Sequence, residues 1–464
     1  MAYSHSVSYV TRVAAVVALA AMAGLVSPVS SQTPAAAVTV LRDVTMIDGL
    51  GNPPRPGTTL VIRDGRIADI IAAGEPSPPG AIDLDVAGKY VMPGLIDAHV
   101  HLASTDRPRG VLNALMQATL LGGVTSVRDM GGNGALVAEL ARAAELPGAA
   151  SPAIFTAAVF AGPEAHWFTD RRAPFFANHG PLTEAPWLVR VDRRTNIRDA
   201  VTRAKAFGAT GVALDSFLTR SSVGDIANEA RRQGLQVWSQ STVIPATPGD
   251  VVRARPTTMS HADQLVWQGR AGVPEALFGR PGGIEAAMTA VPPDAGPIRD
   301  VLQSMRERGV MLEPTLYIGA QAAGLAGDSD RVRIDRQVAY GAAVTALARE
   351  TGVWIVAGTD ALGGSTPNLH AELQLLVARA GLTPLEAIRA ATFNAARAIG
   401  QAGELGSIEV GRRANLVVLD RNPADDIRNT QTIVLVVRDG VVHRRVIPMA
   451  PGPYGEPPPQ DDPS

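Results

Sequence analysis

Residues 91–101 read VMPGLIDAHVH and join an apolar run to two histidines at positions 99 and 101. Residues two apart in a β-strand project from the same face, so His99 and His101 can converge on one metal ion. The apolar residues before them predict a buried strand over 95–101 with the histidine pair at its carboxyl end. In a parallel barrel the active site lies at that end of the strands. The spacing is only weakly specific by itself, and its setting gives it weight.

Seven further β-prone runs follow, separated by helical stretches rich in Ala, Arg and Leu. The eight candidate strands cover residues 95–101, 124–128, 153–159, 211–215, 235–241, 257–261, 310–316 and 353–358. Eight parallel strands alternating with helices close a barrel. We therefore predict an α/β fold with a (β/α)8 TIM barrel over residues 93–402. Long insertions at 161–196 and 262–296 follow strands at the active-site end and are candidate lids.

The segments that flank the barrel share a hairpin design. Residues 60–67 turn at Asp64-Gly65 and residues 434–442 turn at Asp439-Gly440, dipeptides suited to a turn with positive φ. They predict a small β-sandwich domain assembled from residues 37–92 and 403–447. Inside the barrel region, Thr383, Pro384 and Glu386 form a capping box that predicts a helix start, and Gly400 is suited to end that helix.

The two ends of the chain predict segments outside the folded domains. Residues 1–31 place Arg12 before an apolar run at 13–26 and a small-residue stretch, the order of a secretory signal peptide. The mature protein is then exported, periplasmic or secreted, without stable membrane insertion after cleavage; an uncleaved anchor is the alternative. Residues 448–464 are Pro-rich and acidic and predict a disordered tail.

Composition excludes several classes of function. The chain has 464 residues, 42 Lys and Arg against 44 Asp and Glu, and a formal charge of −2, which lacks the basic surplus that non-specific nucleic-acid binding needs. Hydrophobic residues make up 46% and charged residues 19%, enough apolar surface for a globular core. The absence of cysteine excludes disulfides, thiolate nucleophiles and iron–sulfur clusters. Any metal must bind through His, Asp, Glu or a modified Lys.

Two further residues stand at predicted strand ends. Asp360 follows the apolar run 353–359, where a carboxylate is costly to bury without a cation or hydrogen-bond donors. The alternative is that Asp360 caps the next helix. His261 closes the sixth strand in the same topological position, and the alternative for it is a hydrogen-bonded core histidine.

Taken together, five motifs resemble the amidohydrolase superfamily, in its imidazolonepropionase-like and prolidase-like branch. They are PGLIDAHVH at 93–101, GVTSVRD at 123–129, AGTD at 357–360, GLTPLEAIRAAT at 381–392 and LGSIEVGRRANLVVL at 405–419. The resemblance covers nearly the whole mature chain in family order. It implies a barrel with a β-sandwich formed from both termini. It also implies His99 and His101 from strand one, His261 from strand six and Asp360 from strand eight as metal ligands.

The chain departs from that pattern at two positions. Ala213 stands where such relatives carry a metal-bridging lysine, and Gln240 stands where strand five should offer a histidine. The resemblance therefore implies one divalent ion held by His99, His101 and Asp360, with zinc favoured and manganese or iron as alternatives. Asp215 is a candidate substitute ligand, against a role in packing. Gln240 is a candidate weak ligand or substrate contact, and for it too the alternative is packing or solvent exposure.

Other candidates rank lower. His166 resembles a loop histidine after strand three in several relatives and is a candidate substrate contact. Tyr317 follows strand seven at active-site height, although a buried tyrosine with a satisfied hydroxyl is the commoner case. Arg128 and Asp129 pair with each other or cap a turn, and His370 is interpreted as structural.

These inferences predict a hydrolase that cleaves a C–N bond in a cyclic amide or small peptide-like amide. In this prediction Asp360 accepts the proton of the attacking water and His261 hydrogen-bonds the developing oxyanion. The partner is a small-molecule or peptide-like substrate, with homo-oligomerisation left open. The alternative is a catalytically inactive relative that binds a ligand, because two expected ligand positions have changed. A third is an interaction scaffold that uses the lids or the tail.

Overall fold

A computed structural model of the protein describes residues 38–104, 107–165, 185–269, 283–362 and 368–444. Within these ranges, no helix combines the length and apolar character needed to cross a membrane. The predicted signal peptide, the predicted tail and His166 lie outside these described ranges. The export prediction therefore stays a prediction.

The described chain is an alternation of strands and helices. The strands are β1 Thr39–Met46, β2 Arg55–Arg63, β3 Arg66–Ala72, β4 Ile82–Leu84, β5 Tyr90–Pro93, β6 Leu95–His101, β7 Val124–Asp129, β8 Ala153–Ala161, β9 Leu188–Arg190, β10 Gly211–Leu214, β11 Gln236–Gln240, β12 Thr258–Ser260, β13 Met311–Glu313, β14 Ala361–Leu362, β15 Leu416–Leu419, β16 Ile433–Arg438 and β17 Val441–Arg444. The α-helices are α1 Arg109–Leu121, α2 Gly134–Ala144, α3 Ile197–Phe207, α4 Arg220–Arg232, α5 Pro248–Arg253, α6 Gly283–Ala290, α7 Gly296–Arg308, α8 Leu316–Leu325, α9 Asp328–Thr351, α10 Asn368–Ala378, α11 Pro384–Ala390 and α12 Phe393–Ala398. Two 3-10 helices span Ala262–Gly269 and Ile427–Gln431.

The central sheet is parallel and curls in the order β13-β12-β11-β10-β8-β7-β6-β14. Side chains alternate across it. Val212 and Leu214 of β10 pack outward in the large cluster shared with the helices, while Ala213 packs inward with Val159 and Trp238. This inside–outside alternation is the arrangement of a (β/α)8 barrel, so the predicted fold class is confirmed.

The eighth barrel segment, residues 353–358, differs from the predicted strand. It makes one bridge, between Ile355 and Leu312, and no continuous ladder. Backbone bonds nevertheless seat it between β13 and β6: Val356 N donates to Leu312 O at 2.8 Å, and Ala98 N donates to Ala357 O at 3.1 Å. The segment therefore closes the ring of eight without a regular register.

The predicted seventh strand was too long at its carboxyl end. It was expected over 310–316, but β13 ends at Glu313 and α8 begins at Leu316. Pro314 has no N–H to donate to a ladder, and Thr315 takes a left-handed backbone with φ 54°. The chain therefore turns sharply at the barrel mouth.

The terminal segments form a second sheet, in the order β17-β16-β15-β5-β1-β2-β3. Its apolar residues, among them Leu41, Leu60 and Leu416, make a cluster of their own. The two predicted hairpin turns touch one another, and a Cβ added to Gly440 would lie 2.8 Å from the Cα of Gly65. Both glycines have positive φ, 75° for Gly65 and 78° for Gly440, so the contact and the backbone both favour glycine there.

The predicted capping box is present: the Thr383 side chain accepts from Glu386 N and the Glu386 side chain accepts from Thr383 N. The helix that follows does not run on to Gly400. It breaks at Thr392 (φ −127°, ψ −91°), whose hydroxyl donates to Ile388 O at 2.7 Å. The second piece, α12, packs beneath the barrel, where Trp238 Nε1 donates to Ala398 O at 2.8 Å.

Candidate metal site

Three predicted residues meet at the carboxyl ends of the barrel strands. His99, His101 and Asp360 each offer a ligand atom, and these atoms lie within 4.8 Å of one another. His101 Nε2 lies 3.1 Å from Asp360 Oδ1, and His99 Nε2 lies 3.4 Å from the same oxygen. Within the described ranges, no other group of three His, Cys, Asp or Glu residues comes this close. The geometry makes this trio the candidate cation site.

A bulge in β6 helps to aim the two histidines. Asp97 pairs with Val127 while Val100 pairs with Asp129, so β6 uses three residues where β7 uses two. A bulge re-aims the side chains around it. Ala98 packs in the barrel interior with Ile96 and Met311. His99 and His101 instead reach the mouth of the barrel.

The other ring nitrogen of each histidine is fixed. His99 Nδ1 lies 2.5 Å from Glu313 Oε1, and His101 Nδ1 lies 2.7 Å from Gly131 O. Both partners accept, so each Nδ1 carries a proton, and each Nε2 is the nitrogen that can bind a cation. His99 Nε2 is fully buried and has no hydrogen-bond partner among the described residues. A buried imidazole nitrogen without a partner, backed by a carboxylate, fits a metal ligand.

The electrostatics of the trio also fit a cation. Burial acts to raise the pKa of Asp360, but the neighbouring imidazoles outweigh burial and hold it well below its usual range. Burial lowers the pKa of His101, yet the contact with Asp360 prevails and raises it to about 9. Asp360 is thus an anion whose charge is matched at the histidine nitrogens, where an ion would replace a proton.

Asp360 sits in a strained backbone. Its φ is 58°, and its N–H donates to His99 O at 2.8 Å. Just before it, Gly358 passes so close to His99 that an added Cβ would lie 2.8 Å from the His99 Cβ. The helix-cap alternative is not observed, because the short strand β14 follows Asp360 directly. Strain that the surroundings enforce in this way is typical of functional sites.

Glu313 and Arg128 form a buried charge pair beneath His99, which the sequence analysis missed. Both side chains are fully buried; Arg128 Nη2 contacts Glu313 Oε2, and Ser260 Oγ donates to Glu313 Oε1 at 2.9 Å. The Arg128 guanidinium also lies 4.8 Å from the ring centroid of Trp238. Burial acts to raise the pKa of Glu313, but the charge of Arg128 and then of His99 keeps it lowered. Glu313 is therefore an anion that can orient His99. The sequence signal that could have identified Glu313 is an acidic residue at the end of an apolar strand, as for Asp360.

The predicted pairing of Arg128 with Asp129 is not observed. Asp129 instead accepts from Leu102 N at 2.7 Å and Gly131 N at 3.1 Å, the turn-capping alternative. Burial raises the pKa of Asp129 to about 6. These bonds order the loop that carries the Gly131 carbonyl to His101.

His261 lies beside the trio. Its Nδ1 is 2.7 Å from Thr315 Oγ1 and 4.0 Å from Asp360 Oδ2. Thr315 Oγ1 donates to Pro314 O at 2.8 Å, so the hydroxyl accepts from His261 Nδ1–H and leaves Nε2 with a lone pair. Burial lowers the pKa of His261, which favours this neutral form. The geometry therefore favours His261 as a ligand or hydrogen-bond acceptor, in place of the expected donor to an oxyanion.

The positions at which the family pattern expects ligands for a second metal ion differ in what they offer. Ala213 is buried among apolar side chains and offers no ligand. Gln240 ends β11, and its Oε1 is buried without a hydrogen-bond partner among the described residues. Asp215 Oδ1 accepts from the Ser216 N–H at 2.5 Å and from the Ser216 hydroxyl at 2.7 Å, and Asp215 lies outside the ligand trio. The part of the chain that the structure describes thus builds one three-residue site.

Two other predicted residues form hydrogen bonds outside the ligand trio. Tyr317 follows β13 as the second residue of α8, and its hydroxyl donates to Asn368 Oδ1 at 2.7 Å. His370 is buried, with Nδ1 2.9 Å from Thr430 Oγ1 and Nε2 2.9 Å from Gly122 O. His370 thus ties α10 to two other segments, as its structural interpretation requires.

Glu372 is a second buried acid that the sequence analysis missed. It is fully buried on α10, and its Oε2 accepts from Tyr317 N at 2.7 Å, at the start of α8. Burial raises its pKa to about 8. The folded protein consequently holds a proton between pH 5 and 8 that the unfolded chain releases.

The substitution Glu372→Gln should flatten the pH dependence of stability. Because the folded-state pKa of Glu372 is raised, the wild-type free energy of unfolding falls as pH rises from 5 to 8. The amide of the variant carries no titrating proton, so the variant should lose less stability over that interval, by up to about 4 kcal/mol. Urea unfolding of both proteins at pH 5 and pH 8 measures the difference.

The matched control for this prediction is Glu350→Gln, which changes an exposed acid of α9. It should keep the wild-type dependence of stability on pH. Equal pH dependence for the wild type and Glu372→Gln would contradict the expectation.

Comparisons with known proteins agree with this fold. A model of the Amidohydrolase family matches residues 90–447 of the chain. Ochratoxinase from Aspergillus niger is 26% identical over 459 residues, covering 86% of this chain and 85% of that protein. The crystal structure of A. niger ochratoxinase has a TM-score of 0.69 at 23% identity and covers 88% of this chain and 96% of its own.

Two further similarities involve a dipeptidase and an imidazolonepropionase. The crystal structure of a Xaa-Pro dipeptidase with methionine bound in its active site has a TM-score of 0.67 at 21% identity, covering 88% of this chain and 100% of that one. Imidazolonepropionase from Geobacillus sp. (strain WCH70) is 42% identical over 73 residues, which are 15% of this chain and 17% of that protein. At these identities the two structural likenesses show a shared fold.

Proposed function

Because the chain belongs to the amidohydrolase family, we propose that it is a hydrolase that uses one divalent ion to cleave a C–N bond in a cyclic amide or a small peptide-like amide. The observation that carries the proposal is the convergence of His99 Nε2, His101 Nε2 and Asp360 Oδ1, with both Nδ1 atoms already committed to acceptors. The names of the ochratoxin-, dipeptide- and imidazolone-directed relatives support an amide or cyclic amide as the substrate class.

The donor set indicates which ion would bind. Two imidazoles and one carboxylate, with a position left for water or substrate, are the ligands of a catalytic zinc, and they also accept manganese or iron. When bound, such an ion polarises a carbonyl and lowers the pKa of water. The Glu313 carboxylate would hold His99 in the tautomer that this role requires.

The chain supplies two groups that can handle the proton of the attacking water. Asp360 turns Oδ1 to the imidazoles and keeps Oδ2 on the side of His261, where it can take up a proton and pass it to the leaving nitrogen. His261 Nε2, with its lone pair, can accept a hydrogen bond from the same water and so orient it. Asp360 Oδ2 is thus the proposed proton carrier, and His261 the proposed water-orienting group.

The rival proposal, a relative that binds a ligand without turnover, rests on Ala213 and Gln240. Neither supplies the ligand that the family pattern expects, and Gln240 Oε1 is left buried without a described partner. The Gln240 oxygen could therefore contact a bound ligand instead of a metal ion. Turnover by metal-loaded protein decides between the two proposals.

Metal-loaded protein should hydrolyse a C–N bond in at least one class of a panel of hydantoins, lactams, N-acyl amino acids and proline dipeptides. The measurement is product formation by chromatography, as ring-opened acids from the cyclic amides and as two fragments from the linear ones, with a chelator-treated sample as control. Release that depends on added zinc, manganese or iron supports the hydrolase. Stoichiometric binding of an ion without turnover of any class would favour the non-catalytic relative.

A further inference from the structure

A cavity of about 330 Å³ opens directly beside the candidate metal site. Asp360 and His261 form part of its wall, and it extends towards α8 and α9. This volume suits a small ligand or one substituent of a larger one. A substrate held at Asp360 therefore has a defined space into which a side group can extend.

Part of the wall of this cavity is polar. Asp263, two residues after His261, lines it, and Gln337 Nε2 of α9 donates to Asp263 Oδ2 at 2.7 Å. The neighbouring Gln264 also lines the cavity, and its Oε1 is buried without a hydrogen-bond partner among the described residues. We call the part of the cavity beside these residues the Asp263 pocket. Because Asp263 follows His261 by only two residues, the position of the pocket relative to the metal site is fixed by the backbone.

Small residues keep the Asp263 pocket open. Gly341 of α9 faces it, and a Cβ added there would lie 3.6 Å from the Asp263 Cβ and 3.3 Å from Leu316 Cδ2. Gly319 of α8 allows the two helices to approach, since its added Cβ would meet Val338 at 2.7 Å. The packing of α8 against α9 thus leaves space beside the Asp263 carboxylate.

The charge of the lining selects what can enter. The described residues around the cavity include two carboxylates, Asp263 and Asp360, and no Lys or Arg. An ionised carboxylate only accepts hydrogen bonds, so a group that binds it must donate. A substrate carboxylate in this space would face Asp263 without a described counter-cation, whereas an ammonium or guanidinium would form a charge-assisted hydrogen bond.

We propose that the Asp263 pocket is a specificity subsite for a hydrogen-bond-donating, preferably cationic, substituent of the amide substrate. This inference rests on the proposed function, and it narrows the substrate class to amides that carry an alkylammonium or guanidinium group near the scissile bond. Gln337 holds the Asp263 carboxylate in place at the wall of the cavity.

The first test compares dipeptides that pair proline with Lys, norleucine or Glu at either position. Wild-type protein should show a kcat/KM for the Lys compound at least about tenfold above that for norleucine, its near-isosteric uncharged counterpart, with Glu lowest. In Asp263→Asn the Lys-to-norleucine ratio should fall towards one. The control Asp335→Asn removes an exposed charge from α9 and should keep the wild-type ratio. A wild-type ratio of one, or a ratio unchanged in Asp263→Asn, would overturn the subsite.

The second test needs no turnover. Calorimetric titration of wild-type protein with agmatine and with pentanoate should show binding of agmatine alone, weakened at least about tenfold in Asp263→Asn. Selective agmatine binding without cleavage of any dipeptide would support the subsite and count against the proposed hydrolysis. Cleavage without charge preference, together with equal binding of both probes, would retain the hydrolase and refute the subsite.

Discussion

Replacement of His99 or Asp360 by Asn is expected to abolish stoichiometric metal binding and C–N hydrolysis together. The first change removes an imidazole nitrogen from the three ligand atoms that converge within 4.8 Å, and the second replaces the charged carboxylate among them by a neutral amide. Loss of a residue that merely supports a ligand typically costs about 10–100-fold in metal affinity, so loss of the ligand itself should cost roughly 100-fold or more. Metal content by atomic emission should fall from about one ion per chain in the wild type to a trace in both variants.

The same substitution away from the site is the matched control. His443 lies on β17 of the terminal sheet, so His443→Asn should keep both the metal and the activity. Circular dichroism and melting temperature of each variant show whether the fold is intact. A full ion retained in both His99→Asn and Asp360→Asn would place the metal elsewhere. A wild-type protein that binds no ion when metal is in excess would favour the non-catalytic relative.

The sequence predicted the parts of this site that depend on local periodicity. The alternation of β6 places His99 and His101 on one side of a strand, and apolar runs followed by turns marked the barrel strands. Asp360 was found because a carboxylate after an apolar run is unusual. Each of these signals lies within about ten residues of the side chain it identifies.

The parts that were missed depend on contacts between distant segments. Glu313 reaches His99 across 214 positions in the chain, and Arg128 reaches Glu313 across 185. No local pattern pairs such residues. The tautomer of His261 depends likewise on Thr315, whose left-handed backbone follows from the sharp turn after β13. The irregular eighth segment was predicted as a regular strand because its apolar residues resemble one.

Glu313→Gln is expected to separate the two roles of the buried pair beneath His99. The amide can still accept from His99 Nδ1, but it no longer carries the negative charge that Arg128 faces. An unpaired buried guanidinium should lower the free energy of unfolding by about 3–5 kcal/mol. The weaker acceptor should also lower metal affinity by roughly 10–100-fold. Urea unfolding and chelator competition measure these two quantities independently.

The double variant Glu313→Gln/Arg128→Met tests whether both effects have the proposed causes. Methionine removes the unpaired charge while it keeps apolar volume against Trp238, so stability should recover by a few kcal/mol relative to Glu313→Gln. Metal affinity should stay low, because the anion behind His99 is still missing. A purely structural role for Glu313 would instead restore affinity along with stability. Wild-type affinity in the single variant would contradict the positioning role, since His99 would then hold its tautomer without a charged partner.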